Sequence, residues 1–252
     1  MLQVDDRALI LQAFPYSDTS RILKLFCENH GICTVIAKGA LRPRSRFGGL
    51  LEPFTEGQVQ FRLKEGRDMH TLGGFDLLRS RQALGRNLVA FAGGSLVAEL
   101  TLRFGTAEPD PELYHLVARE LDLLGEADGD AAAVALAAVW QIISQLGYEP
   151  RLEACVACGR EITPDEATRF DVQAGGVACT GCRPEGRLVD AATRRELAAM
   201  GAGQPAAGES SDWGVHRALL RAFVATHLSQ EHPLRSLELF TELLPRGGGS
   251  RR

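Results

Sequence analysis

Two cysteine pairs constrain the fold of this chain more than any other feature of its sequence. Each pair has the spacing Cys-x-x-Cys, and 20 residues separate the pairs, which comprise Cys155, Cys158, Cys179 and Cys182. Such a turn directs two thiolates towards one point, and two turns complete a tetrahedral shell for which zinc is the usual metal. We therefore predict a four-cysteine zinc site. A redox dithiol at one pair and buried free thiols are the alternatives.

A closed shell of four protein ligands leaves no coordination position for a reactive water, so the predicted zinc is structural. Few apolar side chains lie between Glu153 and Arg183. We therefore expect the metal to hold this segment together. The remaining cysteines, Cys27 and Cys33, flank a turn that contains His30, but they stand in apolar runs. We predict that both are core thiols rather than metal ligands.

The first 80 residues are typical of a small β-barrel. Short apolar or alternating segments, separated by turn residues, predict five strands at 8–14, 21–26, 32–37, 58–64 and 71–78. An OB-fold is the predicted barrel because it has five strands, and a small SH3-like barrel is the alternative. Asp5 and Asp6 are interpreted as turn or cap residues.

After Ser80 the apolar residues follow a helical period. Leu84, Leu88 and Phe91 are spaced as one helical face, and Asp110-Pro111 is a typical helix start. Further apolar stripes predict helices at 111–124, 131–146, 190–200, 211–224 and 237–244. The predicted fold is α+β and multidomain, with the zinc module inserted among the helices. Its predicted segments are an OB-fold at 1–80, a helical domain at 81–150, the zinc module at 151–186, helices again at 187–246 and a disordered tail at 247–252.

The charge distribution changes the first impression that the composition gives. A formal net charge of -4 argues against a nucleic-acid-binding protein. However, residues 1–80 contain 11 cations and 9 acids, whereas residues 81–252 contain 17 and 23. No acid stands between Glu28 and Glu52, where a glycine-containing segment, the basic loop (38–49), carries Lys38, Arg42, Arg44 and Arg46.

A basic loop on a barrel is typical of proteins that bind single strands through the backbone. Tyr16 and Phe47 are candidates for stacking on bases, although packing is the favoured role of Phe47. A solvated loop without a partner is the alternative to the nucleic-acid interpretation.

The sequence contains no Walker loop, dinucleotide fingerprint, nucleophile elbow or metalloprotease histidine spacing. This pattern favours a binding protein over an enzyme. No apolar run approaches the roughly 20 residues of a membrane-spanning helix, and no signal peptide is evident. We therefore predict a cytoplasmic protein without a membrane partner.

Several motifs resemble the bacterial RecO family of recombination mediators. They are Tyr16–Leu23, Ala37–Ala40, Arg42–Arg46 and Gly49–Phe54. The order of barrel, helices, four-cysteine module and helix is also similar along nearly the whole chain. The resemblance implies binding of single- and double-stranded DNA, annealing of complementary strands, and a nucleoid-associated role in DNA repair and homologous recombination. It also implies that the protein acts with RecR to load the recombinase RecA onto DNA coated by single-strand-binding protein.

The resemblance assigns DNA contact to Lys38, Arg42, Arg44 and Arg46, with Arg21 and Lys24 as further candidates. The acidic tail of single-strand-binding protein needs apolar surface beside cations, and the candidates for this partner site are Arg217, Leu220, Arg221 and Phe223. A zinc-ribbon adaptor that binds protein or RNA is the alternative function. A zinc-dependent hydrolase is disfavoured because the predicted ligand set is closed.

Overall fold

The computed structural model describes residues 2–63, 66–127, 129–183, 186–205, 211–228 and 233–246. The chain divides into two compact units. The barrel unit consists of Met1–Asn87 and Val97–Glu126, and the cysteine unit consists of Leu88–Leu96 and Ala127–Arg252. The domain boundaries given above stay a prediction. The predicted disordered tail lies outside the described residues.

Five strands close into a barrel at the start of the chain, and all neighbouring pairs but one are antiparallel. They are β1 (Leu2–Pro15), β2 (Arg21–Cys27), β3 (Gly31–Ala37), β4 (Glu56–Leu63) and β5 (Met69–Arg79). The strand order around the barrel is β1-β2-β3-β5-β4, and β3 pairs with β5 in parallel. This closed five-stranded barrel confirms the predicted OB-like fold.

Strand β1 is long and pairs with two neighbouring strands of the barrel, mostly through different halves. Its first half pairs with β4 and its second half with β2, and its register shifts between Ile10 and Gln12. Such an irregularity bends a strand, which barrel closure requires. Alternate residues face inward, and the barrel core includes Val4, Ala8, Ile10, Leu23, Leu25, Val35, Val59, Phe61 and Leu72.

The interpretation of Asp5 and Asp6 as turn or cap residues was wrong, because both lie within β1. Asp6 is buried, and its carboxylate accepts hydrogen bonds from Asn29 N (3.1 Å) and Asn29 Nδ2 (2.9 Å). Nδ1 of His30 lies 2.6 Å from the same carboxylate. The turn between β2 and β3 therefore supplies the partners that allow a carboxylate inside the strand.

Six α-helices and one 3₁₀ helix (Gln82–Arg86) lie in the described residues. The α-helices are α1 (Leu88–Phe104), α2 (Pro111–Glu126), α3 (Ala131–Gln145), α4 (Ala191–Gly201), α5 (Trp213–His227) and α6 (Arg235–Leu243). The predicted N-cap of α2 is confirmed, since Asp110 Oδ1 accepts from Leu113 N at 2.9 Å.

The predicted face of Leu84, Leu88 and Phe91 was wrong. Leu84 belongs to the 3₁₀ helix, and the side chains of Leu88 and Phe91 are 58% and 38% exposed. The buried positions of α1 are instead mostly small, and they include Ala90, Ala92, Leu96 and Val97. At Gly93 the reason is the close approach of α1 to α3, because a Cβ at position 93 would lie 2.6 Å from Cβ of Ala135 in α3.

A buried ion network joins the barrel to α2 within the barrel unit. Glu56 and Arg81 are almost fully buried, and Arg81 Nη2 donates to Glu56 Oε2 at 2.8 Å. Arg81 Nε donates to Asp122 of α2 at 2.6 Å, and Tyr114 Oη donates to Glu56 Oε1 at 3.2 Å. Burial acts to raise the pKa of Glu56, but Arg81 and Arg7 outweigh it and hold that pKa below its ordinary value.

A small antiparallel sheet lies in the cysteine segment, where the sequence analysis predicted no strands. It consists of β6 (Thr168–Asp171), β7 (Gly176–Ala178) and β8 (Arg187–Val189), in the order β7-β6-β8. An isolated bridge between Arg151 and Gly176 connects the start of the segment to β7. This sheet supports the two cysteine turns.

Candidate metal centre and nucleic-acid interface

The first cysteine turn is closed by backbone hydrogen bonds. Cys155 N donates to Arg160 O at 2.8 Å, and Gly159 N donates to Cys155 O at 2.8 Å. Gly159 has a φ of 74°, a left-handed conformation that favours glycine. The turn thereby brings Cys155 and Cys158 to the same side of the chain.

The second turn follows directly after β7. Cys182 N donates to Cys179 O at 3.1 Å, which closes this turn. Two bonds join the turns to each other: Cys179 N donates to Cys155 Sγ at 3.3 Å, and Val156 N donates to Val177 O at 2.9 Å. The two Cys-x-x-Cys pairs therefore face one another in a fixed arrangement.

All four sulfur atoms lie within 4.8 Å of one another. A zinc–sulfur bond of about 2.3 Å gives a tetrahedron with sulfur–sulfur edges of about 3.8 Å, so this spacing suits a four-coordinate metal. Among the described residues, no other group of three or more potential ligands meets the same criterion. The cysteines that the sequence analysis selected can therefore hold a metal ion.

Two thiols of the cluster have pKa values shifted in opposite directions. The N–H of Cys179 lowers the pKa of the Cys155 thiol to about 6, whereas hydrogen bonding to Cys179 raises the pKa of Cys182 to about 12. Metal ligation requires thiolates, so binding of a metal would release protons from this cluster.

Arg160 is a neighbour of the cluster that the sequence analysis missed. Its Nη1 and Nη2 donate to the two carboxylate oxygens of Glu166 at 3.0 and 2.6 Å, and it also hydrogen-bonds the side chain of Cys179. A cation at this position offsets the charge of the thiolates. No sequence pattern indicated it, because the partners are brought together by the turn that precedes β6.

The basic loop connects β3 to β4 as a series of consecutive turns. Backbone hydrogen bonds of 3.0–3.4 Å close these turns, with donation from Ala40 N to Ala37 O, Arg42 N to Gly39 O, Ser45 N to Arg42 O and Gly48 N to Ser45 O. All four of its predicted DNA contacts are exposed, namely Lys38, Arg42, Arg44 and Arg46. The loop thus holds four cations at the surface on an ordered backbone.

One hydrogen bond of the basic loop and two of the segment that directly follows it fix this region to the barrel. Leu41 N donates to Thr19 O at 3.0 Å, and Arg21 Nη1 donates to Leu51 O and Glu52 Oε1 at 2.8 and 2.7 Å. Phe47 is 2% exposed and belongs to the barrel core, so it packs and does not offer a face to a base. The guanidinium carbon of Arg46 lies 4.8 Å from the centre of the Phe47 ring.

The other DNA-contact candidates occupy different surroundings. Tyr16 is 58% exposed, which suits the stacking role considered for it. Lys24 is half-buried on β2, and its Nζ donates to Thr34 Oγ1 at 2.9 Å. Arg21 is committed to Leu51 and Glu52. Direct DNA contact by Arg21 and Lys24 therefore stays a prediction, and Arg21 has a structural role beside it.

The four partner-site candidates do not present one surface. Leu220 and Phe223 are buried in the cysteine unit, where the Phe223 ring centre lies 5.4 Å from that of Trp140. Arg217 is half-buried and Arg221 is exposed. The two apolar members therefore contribute to the core, and the partner site for an acidic tail stays a prediction. Among the described residues, no helix is both long and apolar enough to cross a membrane.

Comparison with known proteins identifies the family. The family model described as Recombination protein O N terminal matches residues 1–81, and the one described as Recombination protein O C terminal matches residues 85–238. The chain is 31% identical over 228 residues to a DNA repair protein RecO of Rubrobacter xylanophilus, with 88% of this chain and 90% of the relative covered.

Two further relatives have the same description. A DNA repair protein RecO of Anaeromyxobacter sp. strain Fw109-5 is 33% identical over 233 residues, covering 88% of this chain and 90% of the relative. One of Geobacter sulfurreducens is 32% identical over 245 residues, covering 94% and 97%. With both family models matched along most of its length, the chain belongs to the recombination protein O family and has a role in DNA repair and recombination.

Proposed function

We propose that this protein binds single- and double-stranded DNA through its basic loop and anneals complementary strands. The observation that carries the proposal is the row of four exposed cations on consecutive turns of an OB-like barrel, with no acid in the loop. Cations held on an ordered backbone neutralise phosphates without first ordering the loop. The neutralised strands repel each other less, so complementary bases can meet.

The proposed mechanism is non-enzymatic, and no cofactor is consumed. In the cell the protein would act with RecR to load RecA onto DNA coated by single-strand-binding protein, as the family resemblance implies. The four-cysteine cluster would bind Zn²⁺, because four thiolates in a tetrahedral arrangement select it. The metal would stabilise the cysteine unit and take no part in strand pairing.

The basic loop is tested by changing Arg42, Arg44 and Arg46 to Ala in the full chain. A site that engages about four phosphates of a single strand gives a slope near -3 in log affinity against log salt concentration, and the triple variant should reduce that slope by about 2. Fluorescence anisotropy with labelled oligonucleotides measures both affinity and slope.

A matched control removes the same charge elsewhere, by changing the exposed Arg86, Arg187 and Arg246 to Ala. Equal losses in the two triple variants would show that net charge, and not the loop, determines binding. Annealing of oligonucleotides coated by single-strand-binding protein is the second assay. Failure to anneal by a folded, metal-loaded protein favours the alternative of a zinc-ribbon adaptor for protein or RNA.

A further inference from the structure

A pocket of about 390 Å³ lies between the basic loop and the barrel. This volume falls in the range of small-molecule sites, and the lining combines polar and apolar groups. The apolar side chains that reach the pocket surface are Ala40, Leu41 and Pro43, and beneath them lie the almost fully buried Phe47 and Leu51. The polar groups are Arg21, Arg42, Ser45 and Glu52. The proposed phosphate contacts do not account for this apolar wall.

The polar groups of the pocket form a fixed donor and a partly free acceptor. Arg21 Nη1 is held by Leu51 O and Glu52 Oε1. The side chain of Glu52 is 44% exposed, and among the described residues its second oxygen, Oε2, has no protein donor. A carboxylate oxygen at an apolar wall is an acceptor for the N–H groups of a ligand.

An unpaired nucleobase matches this combination. Its flat face packs against apolar side chains, and its Watson–Crick edge presents N–H donors and carbonyl acceptors. Guanine presents two adjacent N–H donors beside one acceptor, which fits a carboxylate next to a guanidinium. Thymine presents a single N–H between two carbonyl groups, and these would face the Glu52 carboxylate unfavourably.

We infer that the pocket between the basic loop and the barrel takes one unpaired guanine from a bound single strand, with Glu52 accepting from its N–H groups. Arg42 lines the pocket and also belongs to the proposed phosphate row, so the base would enter while its backbone stays on the loop. This inference rests on the proposed DNA binding. It adds a base preference to a surface that otherwise reads only phosphates.

The test compares binding of the full chain to an all-thymine oligonucleotide and to the same oligonucleotide with one central guanine. A single guanine avoids self-structure of the probe. We expect the guanine oligonucleotide to bind roughly tenfold more tightly, the size of one bidentate base contact. Fluorescence anisotropy at a fixed salt concentration measures both affinities.

Two variants locate the preference. Glu52→Gln removes the carboxylate charge but keeps an acceptor for Arg21. Ala40→Leu adds bulk to the lining of the pocket and leaves both residues of that ion pair unchanged. Both should remove most of the guanine preference and leave thymine binding equal or stronger. Asp5→Asn, which removes the same charge elsewhere on the barrel, should leave the preference unchanged. Thermal melting of each variant verifies that it is folded.

The outcomes separate this inference from the function on which it rests. Equal binding of both oligonucleotides by the unaltered protein overturns the guanine pocket but leaves phosphate binding by the loop intact. A preference that persists in folded Glu52→Gln and Ala40→Leu also overturns it. Absence of binding to either oligonucleotide instead refutes the proposed DNA binding itself.

Discussion

Replacing Glu56 by Ala should destabilise the barrel unit strongly, because it removes the buried carboxylate that pairs with the buried Arg81 and leaves Asp122 as the remaining carboxylate partner of that cation. The Arg81 side chain is 3% exposed, and besides Glu56 its donors reach Asp122 Oδ1, Phe54 O and Ala118 O. The variant also removes the acceptor of Tyr114 Oη. Arg7, the third partner of Glu56, is 44% exposed and can turn to water.

The magnitude follows from this burial. Breaking a buried pair by removing one partner costs about 3–5 kcal/mol of the free energy of unfolding, more than the roughly 1.5–3 kcal/mol of one charged hydrogen bond. For a chain of this size, 1 kcal/mol shifts the melting temperature by about 2–4 °C. The expected decrease is therefore roughly 6–20 °C. Urea unfolding followed by circular dichroism gives the free energy directly.

Two further variants distinguish the loss of the buried ion pair from a general loss of stability on mutation. Arg79 is 55% exposed and pairs with the same Asp122, so Arg79→Gln should cost at most about 1 kcal/mol. The double variant Glu56→Gln and Arg81→Met removes both charges and should recover much of the loss. A Glu56→Ala variant that is no less stable than Arg79→Gln would refute the reasoning.

Three further results are expected. The full chain should bind one Co²⁺ or Zn²⁺, and bound Co²⁺ should show the absorption spectrum of tetrahedral thiolate coordination. Cys158→Ser should weaken metal binding, whereas Cys33→Ser should not. Equal metal affinities of these two variants would contradict a metal site at the four-cysteine cluster. Because the pKa of Glu56 is lowered in the fold, its stabilisation is present above the ordinary value of about 4.3 and is lost as the pH falls through the folded-state pKa. The stability difference between the unaltered protein and Glu56→Gln in urea should therefore shrink below about pH 4, and a constant difference contradicts this. Asp6→Asn should lower the free energy of unfolding in urea by about 1–3 kcal/mol, because one amide oxygen cannot accept from all the donors of the turn at Asn29 and His30. Asp5→Asn should lower it by less. Equal decreases in the two variants would argue against this role of Asp6.

Local patterns predicted the parts of the fold that local physics decides. The alternation at 58–64 corresponds to β4 (Glu56–Leu63), and Asp110 caps α2 as its position before a proline indicated. The cysteine spacing selected four sulfur atoms that lie together. In each case the decisive contacts join residues a few positions apart, or pairs whose spacing itself encodes a turn.

The features that the sequence did not reveal depend on non-local partners. Asp6 is compatible with a strand only because the turn at Asn29 and His30 meets its carboxylate. Many of the buried positions of α1 are alanine or glycine, to which hydrophobic periodicity gives little weight. Strands β6, β7 and β8 have three or four residues each, too few to show a period.

The same limit applies to the candidate sites. Arg160 beside Cys179 and Arg21 bound to Glu52 are pairs that form only when separate segments meet. Arg21 was selected from sequence as a DNA contact, yet its bonds to Leu51 and Glu52 make it a support of the segment that directly follows the basic loop. The exposed cations of that loop were identifiable because exposure follows from a glycine-containing polar segment.

The total charge of -4 is a poor guide to whether this chain can bind DNA as proposed. At physiological ionic strength the interaction between exposed charges is screened beyond about 8 Å, so a phosphate at the loop responds to the charges nearest to it. Those charges are the exposed cations of the loop, and the acid that follows it in sequence, Glu52, is already bound by Arg21. The local field is therefore positive although the chain is acidic. Because screening weakens at low salt, the acids elsewhere in the chain oppose binding most under the conditions that favour phosphate contacts in general.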